Sequence, residues 1–177
     1  MRKKELIKSY DFFDIKKRMN DKGDKFVYIE TRDRVEFIFI YEGEIYWRSE
    51  YNPAHCQSND EYNYYPFSTT IEDDEIPIKA VERKIEEEAG LVVEDTEILY
   101  KGYFFESKHI ASRVHLFIIE IKKAKKVAPR TDRTYWKSFG KTLAAKDKET
   151  FFKELDKKII DKSLSLEFLS LKLKNLN

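Results

Sequence analysis

The sequence predicts a mixed α/β (α+β) domain, and three observations carry that prediction. Stretches rich in Val, Ile, Phe and Tyr recur at about 25–30, 35–41, 45–48, 97–105, 113–122 and 133–139. One segment between them, 77–90, has helical spacing instead, with Ile78, Val81, Ile85 and Ala89 three, four and four residues apart. The tail from Lys148 to Leu176 is helical in pattern, with Leu164, Leu166, Phe168, Leu169, Leu171 and Leu173 as its apolar surface.

Taken in order, residues 3–19 carry apolar side chains at mixed helical spacing and suggest a short helix or an N-terminal arm over 1–20. Tyr41-Glu42-Gly43-Glu44 reads as the turn of a hairpin. Residues 52–64 are polar and loop-like. In the central helix Pro77 sits where the first turn tolerates proline, and Gly90 stands where helices stop. There is no repeat, no low-complexity tract and no Gly/Ser linker, so residues 1–177 read as one domain.

Lysine plus arginine (34) nearly cancel aspartate plus glutamate (33), and a net charge of +1 gives no general pull toward nucleic acid or acidic membranes. Cys56 is the only cysteine, which leaves no intrachain disulfide and no cysteine-based zinc site. No apolar run is long enough to span a bilayer, and the basic start lacks a secretory apolar stretch. A soluble, cytoplasmic protein is the expectation.

The chemistry concentrates in residues 69–91. Glu87 and Glu88 are adjacent and lie opposite much of the apolar stripe, so both are expected to project from the sheet side by side. Carboxylates held this way are hard oxygen ligands suited to magnesium or manganese. The bare Glu triplet alone would also suit a solvated helix face. The surrounding spacing resembles the Nudix hydrolase box, G-x5-E-x7-R-E-U-x-E-E-x-G-U with U aliphatic. Glu75, Arg83, Ile85, Glu87, Glu88, Gly90 and Leu91 match seven of its nine fixed positions.

That resemblance implies a mixed β-sheet sandwiched between helices (αβα) and metal-dependent hydrolysis of the pyrophosphate bond in a nucleoside-diphosphate derivative. The implied cofactor is Mg2+ (or Mn2+), which would neutralise phosphate charge and acidify the attacking water. Residue by residue, it makes Glu88 a principal metal and catalytic ligand, with Glu87 assisting and the Ser68 carbonyl completing the sphere. Glu75 and Arg83 would brace the loop against the helix, which Gly90 ends.

Shorter stretches resemble the ADP-ribose and sugar-nucleotide pyrophosphatase branch: Arg48 to Ala54, Arg113 to Phe117 and Asp161 to Leu164. They make ADP-ribose or a nucleotide sugar the implied substrate and Arg48, Tyr51 and Arg113 implied substrate contacts, with Lys84 and Glu106 as further candidates. The branch also implies a homodimer in which residues 1–30 help to complete the pocket.

Two positions depart from the box. Thr69 stands where the box opens on Gly, so the loop there is expected to take a different path. Lys84 stands where the family has a carboxylate, one turn before Glu87 and Glu88. Its positive charge either weakens metal binding or meets phosphate directly. The departures motivate a second reading, a catalytically impaired nucleotide-binding or regulatory protein. A third, action on RNA ends, rests only on the basic stretch from Lys122 to Arg133. His115, Trp47 and Trp136 read as packing residues, His109 and Asp132 as loop residues, and Tyr62, Tyr64 and Tyr65 as either core packing or a stacking surface for a base.

Overall fold

A computed structural model describes residues 4–11, 13–51, 62–129, 140–157 and 162–176. The strand expected at 133–139, together with Trp136, Asp132, Arg130 and Arg133, falls outside them, as do Cys56 and Asp161. The described chain forms β1 (Lys4–Ser9), β2 (Asp14–Met19), β3 (Lys25–Glu30), β4 (Arg34–Tyr41), β5 (Glu44–Glu50), β6 (Asn63–Tyr65) and β7 (Phe67–Thr70). These are followed by α1 (Pro77–Ala89), β8 (Leu91–Ser107), β9 (Ile110–Lys126), β10 (Gly140–Ala145), α2 (Lys148–Asp156) and α3 (Leu164–Lys174).

Strands β4 and β9 lie at the centre of the sheet and run parallel, in register from Arg34–Val114 to Tyr41–Ile121. Both read as nearly continuous apolar runs because both of their faces are covered. Alternation divides β4 between two cores. Val35, Phe37, Phe39 and Tyr41 pack with Ala80, Val81 and Ile85 of α1. Ile38, with Trp47, Leu116 and Ile118, packs with Phe151 and Leu155 of α2 and with Leu166, Leu169 and Leu173 of α3. Truncating any of these fully buried aromatic side chains, such as Phe37, would cost about 3–5 kcal/mol.

The N-terminal residues correct the first expectation. Instead of a helix, they form an antiparallel meander of β1, β2 and β3 that joins the main sheet where Ile29 pairs with Ile110. The β1–β2 turn closes locally: Ser9 donates to Asp14 at 2.7 Å, and the Tyr10 and Phe13 rings stack 4.7 Å apart. Strand pairing overrides the weak helical spacing because residues 3–19 have no continuous apolar stripe to bury. The strands expected at 97–105 and 113–122 extend to 17 residues each, forming one long bulged hairpin.

The feature that shapes the site is a fork. β4 pairs with β5 only from Phe39 to Tyr41, then with β7 from Arg34 to Phe37. Beyond the split, β6 replaces β4 on that edge of β5, while β10 runs along the other edge from Ile45 to Glu50. Pro66, which has no N–H to give a ladder, carries the chain across from one arm to the other. Arg48 sits on the β5 arm and the box begins on the β7 arm.

Candidate functional site

The box loop is tied to its helix by a two-pronged ion pair. Arg83 donates from Nε to Glu75 Oε1 and from Nη2 to Glu75 Oε2, both at 2.9 Å, and also reaches the Thr70 carbonyl at 3.0 Å. Glu75 in turn accepts from the Glu72 amide at 3.0 Å. The hydrogen bonds from Arg83, reinforced by that amide, hold the Glu75 carboxyl below its ordinary range against the opposing effect of burial. Forked guanidinium–carboxylate pairs combine strength with fixed orientation. Asp74, with φ of 63°, makes the sharp bend in the loop that delivers Pro77 to the first helical turn.

At the other end of α1, Gly90 adopts φ of 66° and ψ of 35°, the left-handed cap that stops the helix. A Cβ there would lie 2.3 Å from the Val127 carbonyl oxygen, so the backbone of the β9 exit fills the space a side chain would need. Val127 N–H donates to the Gly90 carbonyl at 2.8 Å and locks the helix end to the hairpin. Thr69 is unstrained: it lies in β7 opposite Val35, and the left-handed backbone of this loop falls at Asp74. Thr69 thus takes ordinary strand backbone rather than the positive φ that a glycine would permit there.

Glu87 and Glu88 do not project together. Glu87 leans outward and lies 3.5 Å from Arg83 Nη1. Glu88 turns inward, its side chain 10% exposed, where Lys84 contacts Oε1 directly and Arg48 Nε lies 3.0 Å from Oε2. The single N–H on that nitrogen donates to Glu50 instead, also at 3.0 Å, so Glu88 Oε2 accepts no hydrogen bond from the described residues. The helix explains the parting: consecutive residues are about 100° apart, and positions 84 and 88 border the buried stripe. Lys84 is itself buried, 5% exposed, beside Ala80, Val81 and Ile85.

Arg48 is equally enclosed. Its Nη1 reaches Thr142 Oγ1 at 3.4 Å, and a Cβ on Gly140 would meet Nη2 at 2.1 Å, so β10 leaves a glycine-sized gap for the guanidinium. Glu88 is thus a buried anion between two buried cations.

The remaining expected residues lie apart from this cluster. Ser68 is exposed on β7, opposite Glu36 of β4. Tyr51 is half-buried just beyond β5. Glu106 accepts from Arg34 Nη1 and from Ser112 Oγ, each at 3.1 Å. Arg113 grips Asp33 through its amide at 2.7 Å and its Nε at 3.0 Å. His115 is half-buried, with Nε2 3.7 Å from Asp33. Arg34 also pairs with the buried Glu36 at 3.0 Å, a polar cluster the sequence reading passed over. Its signal was present: Arg34 and Glu36 occupy alternate positions on one face of an otherwise apolar strand.

Among the described residues of the basic stretch, three lysines have carboxylate partners. Lys122 meets Glu97 and Glu120, Lys123 meets Glu94 and Lys126 meets Glu42. A cavity of about 470 Å3 lies away from the box, between β3 and the tip of the β8–β9 hairpin.

The fold is similar to that of an ADP compounds hydrolase. The likeness to that crystal structure has a TM-score of 0.65 and covers 97% of this chain and 90% of the other, at 13% sequence identity. It supports the Nudix resemblance at the level of the fold. No family model matches the chain, and no curated protein matches it.

The box residues do not fit the divalent cation that the resemblance implies. Magnesium and manganese need several oxygen ligands converging on one point. Among the described residues no group of three or more Asp, Glu, His or Cys side chains is placed to hold a metal ion. Glu88, the principal ligand expected, already faces two cations, and Glu87 faces a third.

Proposed function

We propose that this chain binds a nucleoside-diphosphate derivative, ADP-ribose or a nucleotide sugar, and has lost metal-dependent hydrolysis of the pyrophosphate bond. The observation that carries this reading is the buried Lys84–Glu88–Arg48 cluster, in which the carboxylate a metal would need is neutralised from within. The fold likeness to an ADP compounds hydrolase supports the ligand class. Binding of a ligand to the folded state alone raises thermal stability by mass action. A panel of ADP-ribose and nucleotide sugars should therefore raise the melting temperature, with no phosphate released after phosphatase coupling in magnesium or manganese. Turnover that Glu88→Gln abolishes would overturn this reading.

Such turnover would instead establish a second reading, metal-dependent hydrolysis, which the likeness to a hydrolase favours. On that reading Glu88 is the principal ligand, Glu87 assists, and the Ser68 carbonyl completes the sphere. Lys84→Glu discriminates: if the lysine silences the site, the variant gains phosphate release. Pairing of two copies is supported by the exposed apolar side chains Leu6, Ile7, Phe26 and Val27 near the N-terminus and Tyr103 and Phe105 on β8. Action on RNA ends, the third reading, would be supported by salt-sensitive binding of RNA by the basic stretch from Lys122 to Arg133.

A further inference from the structure

We infer that Lys84 is a built-in counter-cation at this site: its ammonium takes up Glu88 in place of a divalent ion, and the chain binds its diphosphate ligand without one. The ligand part of this inference rests on the nucleotide reading above; the cation part does not.

Three observations converge. First, Lys84 is not a surface lysine. Its side chain is 6% exposed and in contact with a Glu88 side chain that is 10% exposed. Burying an ammonium is expensive unless a partner compensates, so this pair is a specific arrangement rather than an incidental surface contact. Second, Arg48 closes the opposite side of the same carboxylate, with its own side chain 7% exposed. A metal ion approaching Glu88 would face two fixed positive charges where water screens them little. Third, Glu87, which would otherwise have to hold the ion, lies beside Arg83, whose guanidinium is committed to Glu75.

Arg48 is shared between Glu88 and Glu50, so the cluster of two cations and two carboxylates is formally neutral. Both cation types bind phosphate oxygens, arginine as a planar fork and lysine as a point charge. A diphosphate that exchanges with Glu88 and Glu50 for these two cations gains from them the neutralisation it otherwise obtains from a metal.

The test uses the whole chain and two independent titrations. In the first, manganese alone is titrated by calorimetry. The wild type should show no uptake that depends on Glu88, whereas Lys84→Glu should gain a site at least ~100-fold stronger, because a buried charge next to the ion has been reversed. Glu88→Gln in the Lys84→Glu background should remove that site. Manganese uptake by the wild type that Glu88→Gln abolishes would overturn the inference. If Lys84→Glu does not fold, Lys84→Met keeps the volume without the charge and should still gain Glu88-dependent manganese uptake; no gain would overturn the inference.

In the second titration, ADP-ribose and a uridine-diphosphate sugar are each added in chelator and in magnesium. At least one should bind with affinities within about threefold of each other in the two conditions, and Lys84→Met, folded by circular dichroism, should weaken it about tenfold or more. Binding only in magnesium, or unchanged affinity in Lys84→Met, would overturn the ligand part and leave the nucleotide reading standing. If neither compound binds in either condition, the nucleotide reading fails with the ligand part, and the manganese titrations still decide the role of Lys84.

Discussion

Replacing Gly90 by alanine should be among the most damaging single-methyl additions in this protein. Two costs combine. The residue holds φ of +66°, where an L side chain costs roughly 1–2 kcal/mol. The new Cβ would also lie 2.3 Å from Val127 O and 2.9 Å from Pro129 Cδ, so backbone must shift, a form of overpacking that costs about 1–3 kcal/mol. The sum is about 3 kcal/mol, which for a chain of 150–250 residues corresponds to roughly 6–12 °C in melting temperature. Gly43→Ala is the control, because its φ is +79° but nothing lies within 4 Å of its Cβ. It should show only the backbone cost. Denaturant melts of both variants, compared at equal m-value, give the two contributions separately. If Gly90→Ala loses no more stability than Gly43→Ala, the packing argument at the helix end is wrong.

Three further outcomes follow from the geometry. The Glu75 carboxyl is held below its usual 4.5 by Arg83, so its stabilisation is complete above that value and is lost as pH falls through the lower folded value. Glu75→Gln should flatten the acid limb of the stability profile below about pH 4.5, and an unchanged limb would remove the brace from the account. The Tyr46 hydroxyl is pushed up to about 12, first by burial and then by its hydrogen bond to Glu44. Its contribution is present below pH 10 and lost as pH rises through about 12, so Tyr46→Phe should show a shallower alkaline decline across that interval. Phe105 is 65% exposed beside the exposed Tyr103 and Phe104. Sedimentation should find the chain dimeric and Phe105→Glu shifted toward monomer; a monomeric wild type at micromolar concentration would count against that surface.

The parts of this fold that were legible in the sequence are those governed by local rules. Pro77 and Gly90 bound α1 because proline and glycine have strong backbone preferences. Glu42 and Gly43, at φ of 51° and 79°, make the tight hairpin turn that their residue types favour. The N-terminal meander was not legible, since β2 (DIKKRM) has little apolar alternation and owes its conformation to pairing with β3. The direction of Glu88 was misjudged for a related reason. Counting around the helix placed it opposite much of the apolar stripe, but the stripe widens on the side where Arg48 reaches across from β5. A helix considered alone gives no hint of a cation supplied from a strand 40 positions before Glu88, beside a glycine 92 positions after that cation.

The β8–β9 hairpin has a mechanical consequence. Seventeen residues at ~3.3 Å apiece make a girder of roughly 55 Å. One end is riveted to the last turn of α1 through Gly90 and Val127; the other carries Ile110 and His109, whose backbone anchors Ile29. The first thirty residues are therefore linked, through one continuous pair of strands, to the foot of the helix that presents Lys84 and Glu88.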